Sequence, residues 1–413
     1  MAEKVAEKLA VRGGEPVRSE SFPGRTPFGK EEEELVLDAL RSQNLFYKGG
    51  THVAALQEEF AELYGARRAV ACTSGTAALH LAVGAVDPAP GDEIITTPIT
   101  DLGTIIPILY QNAVPVFADV DAATGNMDPA STEAKITERT KAIILVHLFG
   151  NPAPVDEFVE IAKRHGVMLI EDCSQAHVTR YKDRYVGTFG DIGTYSFQQS
   201  KHMTTGDGGC VITNSEEIGE RMQLFADKNY NRGDRSMDPR MYFGLAPNYR
   251  MNELTGAVAR AQLRKVRGVV EKRVALGARL NEKLGGVEGI MPATVTPGAE
   301  FSGWAYPLHV RDSSKLSEFR EALQAEGLWA GVGYIGKPIF LCADSLKDRK
   351  TYGDSGFPFT APGAADPGYS EGACPGAEEF MAHVLTFAYN ENWTEADIDD
   401  VARAVTKVAA ALL

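Results

Sequence analysis

The feature that most constrains the fold is a series of seven short β-rich runs between Ala69 and Thr213. Helical or loop segments separate these runs, and several of the runs are apolar nearly throughout. Apolar strands are typical of a parallel or mixed sheet that helices cover on both faces. The runs are AVACT, EIITT, VPVFADV, AIILVHLF, VMLIED, IGTYSF and GCVIT. The sequence therefore predicts an α/β domain that binds its ligands at the carboxyl ends of the strands.

The segments on either side of this series predict two further parts of the chain. Residues 1–30 are rich in Gly and Pro and lack a sustained helical or alternating pattern, which indicates an extended arm. A long helical segment covers residues 251–286, and a second α+β pattern begins at WAYPLHV. We predict an N-terminal arm over 1–30, a large domain over 31–265 and a small C-terminal domain over 266–413. A chain of 413 residues is long enough for more than one core.

Composition excludes several classes of partner. The 56 Asp and Glu outnumber the 42 Lys and Arg, and the net charge of −14 would repel a nucleic-acid backbone. No apolar run is long enough to span a membrane and no signal segment opens the chain, so we expect a cytoplasmic protein. The five cysteines form no Cys-x-x-Cys pair and there is no His cluster at metal-ligand spacing, so we expect reduced thiols and no metal site.

Polar residues follow two of the predicted strands. In TSGTAALHLA, residues 73–82, hydroxyls and backbone N–H groups at a helix N-terminus can bind phosphate, although a plain helix cap explains Ser74 and Thr76 equally well. In VMLIEDCSQAH, Glu171 and Asp172 end an apolar strand. A carboxylate there would meet a cationic group such as a protonated pyridine nitrogen, or it would cap a helix or pair with an arginine.

One lysine lies in a polar loop between two predicted strands, in SFQQSKHMTTGDGG, residues 196–209. A nucleophilic lysine needs a depressed pKa and defined surroundings, and a short loop can provide both, although most single lysines are surface residues. Ser196, five residues before Lys201, could add a phosphate ligand. An anion site, Asp172 and Lys201 together match the phosphate, pyridinium and aldehyde of pyridoxal 5′-phosphate.

Motifs spread over nearly the whole chain identify a family. They are GGEPVR, TSGTAALHLA, GDEIITTP, VPVFADVD, VHLFGNPAPVD, EDCSQAH, GTFGDIGTYSFQQSKHMTTGDGG and NYRMNELTGAVARAQL. With these motifs the chain resembles the DegT/DnrJ/EryC1/StrS family of pyridoxal-phosphate aminotransferases, which aminate keto sugars and keto cyclitols. The resemblance implies the fold type I transferase architecture of aspartate aminotransferase. That fold has a mostly parallel seven-stranded sheet flanked by helices, with a smaller C-terminal α+β domain.

The resemblance also implies roles for individual residues around the cofactor ring. Lys201 matches the lysine that forms the Schiff base and then moves the proton during transamination. Asp172 matches the partner of the pyridine nitrogen, and Gln175 matches the residue near the phenolic oxygen.

The same resemblance implies a phosphate site shared between two subunits. Gly75, Thr76 and Ser196 match the phosphate-binding residues of one subunit, and Asn248 matches an asparagine that reaches the phosphate from the neighbouring subunit. A homodimer with shared active sites is therefore implied, with the N-terminal arm lying on the partner.

Four residues are candidates for substrate contacts. Arg250 is a candidate for the donor carboxylate because a guanidinium binds a carboxylate bidentately. Asp101 occupies the position where the family usually has an aromatic residue stacked on the cofactor, and an acidic side chain there would instead contact a substrate amine or hydroxyl. His177 is either a substrate-side residue or a packed histidine, and Lys337 is one of few basic residues in the expected acceptor region.

The function that follows is a ping-pong aminotransferase. L-glutamate or L-glutamine would donate the amino group, leaving pyridoxamine 5′-phosphate, and a keto sugar or keto cyclitol would accept it in natural-product or amino-sugar biosynthesis. One alternative is a pyridoxal-phosphate-dependent dehydratase acting on a keto-deoxysugar, but such relatives replace the lysine by histidine and here His202 lies one position away. Another is a cofactor-binding regulatory protein without turnover, which only Asp101 favours.

Overall fold

The structure is a computed structural model, and it describes residues 7–232 and 241–413. The first six residues of the predicted arm lie outside the described residues. The strands are β1 Arg68–Cys72, β2 Glu93–Thr96, β3 Val114–Phe117, β4 Thr140–Val146, β5 Met168–Asp172, β6 Arg180–Tyr181, β7 Arg184–Tyr185, β8 Ile192–Ser196, β9 Gly209–Thr213, β10 Ile290–Met291, β11 Tyr306–Val310, β12 Gly331–Val332 and β13 Val384–Phe387. The helices are α1 Lys30–Arg41, α2 His52–Tyr64, α3 Gly75–Val86, α4 Ile106–Tyr110, α5 Pro129–Ala134, α6 Val155–His165, α7 Glu216–Ala226, α8 Glu253–Leu284, α9 Leu316–Ala325, α10 Ile339–Cys342, α11 Asp344–Lys347, α12 Pro375–His383 and α13 Glu395–Leu412.

A seven-stranded sheet forms the centre of the larger part of the molecule. Its strand order is β1-β9-β8-β5-β4-β2-β3, and every strand runs in the same direction except β9, which is antiparallel to both neighbours. The middle strands are buried because helices cover both faces, as their apolar sequences require. The predicted mostly parallel sheet is confirmed, and each of the seven β-rich runs overlaps one of its strands.

One predicted strand ends three residues earlier than its apolar run does, because the chain turns. The run AIILVHLF extends to Phe149, but β4 ends at Val146 and a 3₁₀ turn follows over Leu148–Gly150. Phe149 has a φ of 57°, a left-handed conformation that no strand can contain. The turn leads the chain away from the sheet at its carboxyl edge.

A second, antiparallel sheet lies in the C-terminal part, in the order β10-β11-β13-β12. Helix α8, 32 residues long, packs against α1 and α2 and also against α13. The predicted limit between residues 265 and 266 therefore falls inside one continuous helix, and the domain division stays a prediction.

The N-terminal arm lies along the C-terminal part of its own chain. The backbone N–H groups of Ala10 and Val17 donate to the carboxylate of Glu326, and Arg18 Nη1 donates to Asp397 Oδ1 at 2.7 Å. These residues of the arm contact their own chain, and the expected contact of the arm with a partner subunit stays a prediction. The arm has few backbone partners of its own, and acidic side chains of the same chain supply them.

Candidate functional site

A cavity of about 350 Å³ opens at the carboxyl edge of the central sheet. Residues at or just after the ends of β1, β2, β4, β5 and β8 line it, as expected for an α/β sheet. The C-terminal part closes it with Trp304, just before β11, and Tyr334, just after β12. The structure brings together these predicted site residues: Gly75, Thr76, Asp101, Asp172, Gln175, Ser196 and Lys201.

One end of the cavity has the composition of an anion site. Helix α3 begins at Gly75, and Ser74 caps it by accepting a hydrogen bond from Ala77 N at 3.0 Å. The N–H groups of the first helical turn have no partner within the helix and are directed out of its N-terminus. A Cβ on Gly75 would lie 2.6 Å from the Cβ of Ser196, so only glycine allows the helix to approach β8 this closely.

The close approach of Gly75 to Ser196 also bears on whether a phosphate group fits this end of the cavity. Gly75 and Thr76 supply backbone N–H groups and a hydroxyl, and Ser196 supplies a second hydroxyl across from them. Helix N-termini with such donors bind phosphate. Ser74 is a helix cap, as the alternative interpretation of its motif predicted, and both Ser74 and Thr76 line the cavity.

Asp172 places a buried carboxylate at the end of β5. Its Oδ2 accepts from the hydroxyl of Thr104 at 3.0 Å and its Oδ1 from Ser174 N at 3.1 Å. Thr104 is itself within 2.7 Å of the Thr100 hydroxyl, which fixes its orientation. Within residues 7–232 and 241–413 no ion pair joins Asp172 to a basic side chain. A desolvated carboxylate without a protein cation fits a cationic group of a ligand such as a pyridinium nitrogen.

Lys201 reaches the cavity from the loop between β8 and β9. Burial lowers the pKa of its ammonium to about 8, while the charges of Asp172 and Asp101 act in the opposite direction. Its Nζ lies 4.2 Å from the centre of the Trp304 ring. A lysine whose pKa is this low holds an appreciable fraction of neutral amine near pH 7 to 8, as a nucleophile and base requires.

Gln175 connects the site to the C-terminal part of the chain. Its Oε1 accepts from Phe149 N at 2.7 Å, and its Nε2 donates to the hydroxyl of Tyr334 at 3.1 Å. Burial raises the pKa of Tyr334 to about 12, so this hydroxyl is neutral and can donate into the cavity.

Several functional candidates were missed by sequence reasoning. Trp304, Tyr334 and Thr104 all line the cavity. The sequence did give a signal for Trp304, because the stretch SGWAYP places its indole directly before a predicted strand, in a loop position that can line a binding site. Thr104 gives no such signal, since its role depends on the 3₁₀ turn Leu102–Thr104 that follows β2.

Four predicted substrate or cofactor contacts do not line the cavity. His177 is fully buried against Tyr195 and Phe197, and neither ring nitrogen has a hydrogen-bond partner among the described residues. Burial, with the nearby charges of Lys201 and Arg25, lowers the pKa of His177 to about 3, so its imidazole is neutral. The packed interpretation of His177 is therefore the correct one of the two.

The remaining three residues, Arg250, Asn248 and Lys337, lie outside the lining of the cavity. Arg250 forms an ion pair with Asp227, so its guanidinium is already occupied in this chain. Asn248 and Lys337 are exposed, and neither side chain lines the cavity. The predicted contacts of Arg250 and Lys337 with substrate therefore have no support within one chain.

Comparison with known proteins agrees with this geometry. The model of the DegT/DnrJ/EryC1/StrS aminotransferase family matches residues 27–406. The L-glutamine:2-deoxy-scyllo-inosose aminotransferase of Micromonospora echinospora is 37% identical over 301 residues, 70% of this chain and 71% of that protein. The GDP-perosamine synthase of Caulobacter vibrioides is 31% identical over 364 residues, 87% of this chain and 90% of that protein.

A solved structure gives the same result for the fold. The X-ray structure of the aminotransferase from Psychrobacter cryohalolentis superimposes on this chain with a TM-score of 0.83 at 29% sequence identity. The match covers 95% of this chain and 99% of that one.

The fold and the cavity define a pyridoxal-phosphate-dependent transferase of fold type I. Within that class the chain belongs to the DegT/DnrJ/EryC1/StrS family and is an aminotransferase. The anion cradle, the unpaired carboxylate of Asp172 and the buried amine of Lys201 fit the three polar parts of pyridoxal 5′-phosphate. In the described part of the chain, none of the helices combines the length and the apolar character that crossing a membrane requires.

Proposed function

We propose that this enzyme transfers an amino group from L-glutamate or L-glutamine to a keto sugar or keto cyclitol in natural-product or amino-sugar biosynthesis. The observation that carries the proposal is the buried Lys201 amine, within range of the charge of Asp172, in a cavity with an anion cradle at one end. The similarity to an L-glutamine:2-deoxy-scyllo-inosose aminotransferase supports this choice of donor and acceptor.

The residues of the cavity divide the work of holding the cofactor. Gly75, Thr76 and Ser196 would bind the phosphate, Asp172 would keep a proton on the pyridine nitrogen, and Gln175 would lie near the phenolic oxygen. When bound, pyridoxal 5′-phosphate supplies an aldehyde carbon that takes up the amino group, as pyridoxamine 5′-phosphate, and a ring that accepts an electron pair. Thr104 and Ser174 N hold the Asp172 carboxylate in one orientation.

Lys201 would carry the proton that transamination transfers from one carbon atom to another. Its neutral amine would take a proton at Nζ and return it at a neighbouring carbon, and a pKa of about 8 keeps both the neutral and the protonated form populated near neutral pH, as both transfers require. The ring of Trp304 lies beside Nζ and limits where the ammonium can be directed. Trp304 and Tyr334 also shield the cavity from water on the side of the C-terminal part.

We also propose that the enzyme is a homodimer whose active sites are shared. Several large apolar side chains are exposed close to Asn248 in the sequence, on α1 or between α1 and α2: Leu37, Leu40, Leu45, Phe46, Met241, Tyr242, Phe243 and Leu245. Apolar surface of this extent is typical of a protein interface. An interface there would bring Asn248 to the phosphate site of the neighbouring subunit.

The dehydratase alternative has little support in the geometry. His202, the histidine next to Lys201, is buried and its Nε2 contacts the carbonyl oxygen of Ser302 at 3.1 Å. It does not line the cavity, so it cannot replace the lysine as a base there.

The proposal is tested with the purified holoenzyme and its Lys201→Ala variant. Wild-type enzyme should lose the visible absorbance of bound cofactor when L-glutamine or L-glutamate is added, and recover it with a keto cyclitol. The variant should show neither change and should form no borohydride-stable link to the cofactor, because no other amine lines the cavity formed by the described residues. A Lys163→Ala variant, altered on the exposed face of α6, is the matched control. A wild-type spectrum that no donor changes would favour the regulatory alternative.

A further inference from the structure

The walls of the cavity are unbalanced in charge. As the described residues form it, the cavity contains the carboxylates of Asp101, Asp172 and Asp207 and one basic side chain, Lys201. Of the two carboxylates that raise the pKa of Lys201, Asp172 has the larger effect and Asp101 the smaller. Asp101 lines the cavity with an exposed side chain, and none of the described residues forms an ion pair with it.

The carboxylate of Asp101 is held in a fixed place. It caps the 3₁₀ turn Leu102–Thr104, and its Oδ1 accepts from Gly103 N at 2.7 Å. A Cβ on Gly103 would lie 2.6 Å from Thr76 Oγ1 and 2.9 Å from Asp101 Oδ1, so the turn packs tightly against the start of α3. Asp101, Lys201 and Tyr334 line the same cavity, and the charge of Asp101 raises the pKa of both other groups.

A ligand that enters this cavity takes water away from Asp101. A neutral hydroxyl would give the carboxylate one hydrogen bond and leave its charge uncompensated in a less polar environment. An ammonium group would give it a charge-assisted hydrogen bond and cancel the charge. The electrostatics of the cavity therefore favour a cationic ligand over a neutral ligand of the same shape.

We propose that Asp101 binds a protonated amino group of the acceptor, so that the preferred keto sugar or keto cyclitol already carries an amine. This inference rests on the proposed function, because it concerns the acceptor of the same transamination. It makes Asp101 the residue that determines specificity at a position where the family usually has an aromatic ring.

Binding to the holoenzyme tests the inference without requiring turnover. We would measure scyllo-inosamine and scyllo-inositol, which differ by one amine in place of one hydroxyl, by titration calorimetry at pH 7. We expect the amine to bind about ten- to hundredfold more tightly, which is the range for a hydrogen bond to a charged group. Asp101→Asn should reduce the difference to about threefold or less, because the amide keeps the hydrogen bond to Gly103 N but not the charge.

Two further variants separate Asp101 from the general charge of the cavity. Asp207 precedes β9 at the end of the cavity near Ser196, so Asp207→Asn removes one charge from the same cavity and should retain the preference for the amine. Asp101→Glu should restore part of the preference. Equal binding of the two ligands by wild-type enzyme, or an equal loss of preference in Asp101→Asn and Asp207→Asn, would overturn the inference.

Turnover distinguishes this inference from the proposed function. With donor present, kcat/KM would be compared for 2-deoxy-scyllo-inosose and for analogues that carry an amine in place of one hydroxyl. Turnover of all acceptors without preference would leave the proposed function standing and overturn the role of Asp101. A preference in binding without any turnover would support Asp101 and contradict the proposed acceptor.

Discussion

At the scale of a single residue, Glu171 has more hydrogen-bond partners than its position in an apolar strand suggests. Its carboxylate accepts from the backbone N–H groups of Gly187, Phe189 and Gly190, each at 2.7 Å. His147 Nδ1 accepts from Ala153 N, so the proton of its ring is on Nε2, 3.2 Å from Glu171. These donors satisfy a fully buried charge, and the carboxylate in turn fixes the loop before β8.

We expect Glu171→Gln to lower the free energy of unfolding by about 2 kcal/mol or more, since an amide cannot accept all of these hydrogen bonds and its NH₂ group would face other donors. Glu160→Gln, on the exposed side of α6, is the matched control and should change stability little. Urea denaturation measures both variants. A Glu171→Gln protein as stable as wild type would show that the loop does not depend on this charge.

The contrast between Glu171 and Asp172 shows what the sequence could and could not predict. The motif VMLIED placed both carboxylates at the end of one strand, which is confirmed. Successive side chains of a strand point to opposite faces, so only one of the two could face the cavity. The alternation of side chains alone does not say which one; the family resemblance assigned Asp172, and the structure places Asp172 in the cavity, where it accepts from Thr104, 68 residues earlier in the sequence.

At the scale of elements, the N-terminal arm is tied to the loop that carries Lys201. Arg25 donates to the backbone carbonyls of Lys201 and His202, and its Nε donates to Glu391 at 2.6 Å. Glu391 also pairs with Arg273 of α8 at 2.8 Å. The position of the lysine therefore depends on the arm, on α8 and on the segment after β13.

We predict that Arg25→Gln weakens cofactor retention and lowers the free energy of unfolding by about 1 to 3 kcal/mol, because two backbone acceptors and Glu391 lose a charged partner. Arg12→Gln, which removes an exposed pair with Glu318, is the control and should cost less than about 1 kcal/mol. The dissociation constant of the cofactor and the melting temperature are the measurements. If both variants behave alike, the arm has no special role in positioning Lys201.

The elements themselves were predictable to different degrees. A long segment with clear periodicity such as α8 agrees with the sequence to within a few residues, since the predicted 251–286 is observed as Glu253–Leu284. Short strands such as β12, with two residues, carry too little pattern to be recognised before their partners are known. The arm was predicted as extended, but its contacts with Glu326 and Asp397 depend on tertiary structure that local sequence does not encode.

At the scale of the whole molecule, the exposed apolar side chains are the part of the surface that one chain leaves without a packing partner. Leu245 is 96% exposed and Phe243 is 52% exposed, although both side chains are large and apolar. They precede Asn248 by a few residues, so an interface that covers them would also place Asn248 against a second chain. One interface would therefore cover the apolar surface and complete the shared phosphate site, and each of these two consequences can be measured separately.

Leu245→Asp should shift the protein from dimer to monomer in sedimentation velocity, because a carboxylate within an apolar interface would be desolvated without a partner. Asn214→Asp, at an exposed position just before α7, adds the same single negative charge and is the control. If the sites are shared, Lys201→Ala and Asn248→Ala chains assembled together should show more activity than the sum of the two separate variants. In such a mixed dimer one site contains an intact lysine from one chain and an intact asparagine from the other. Activity equal to the sum, or a wild-type protein that sediments as a monomer, would contradict the shared site.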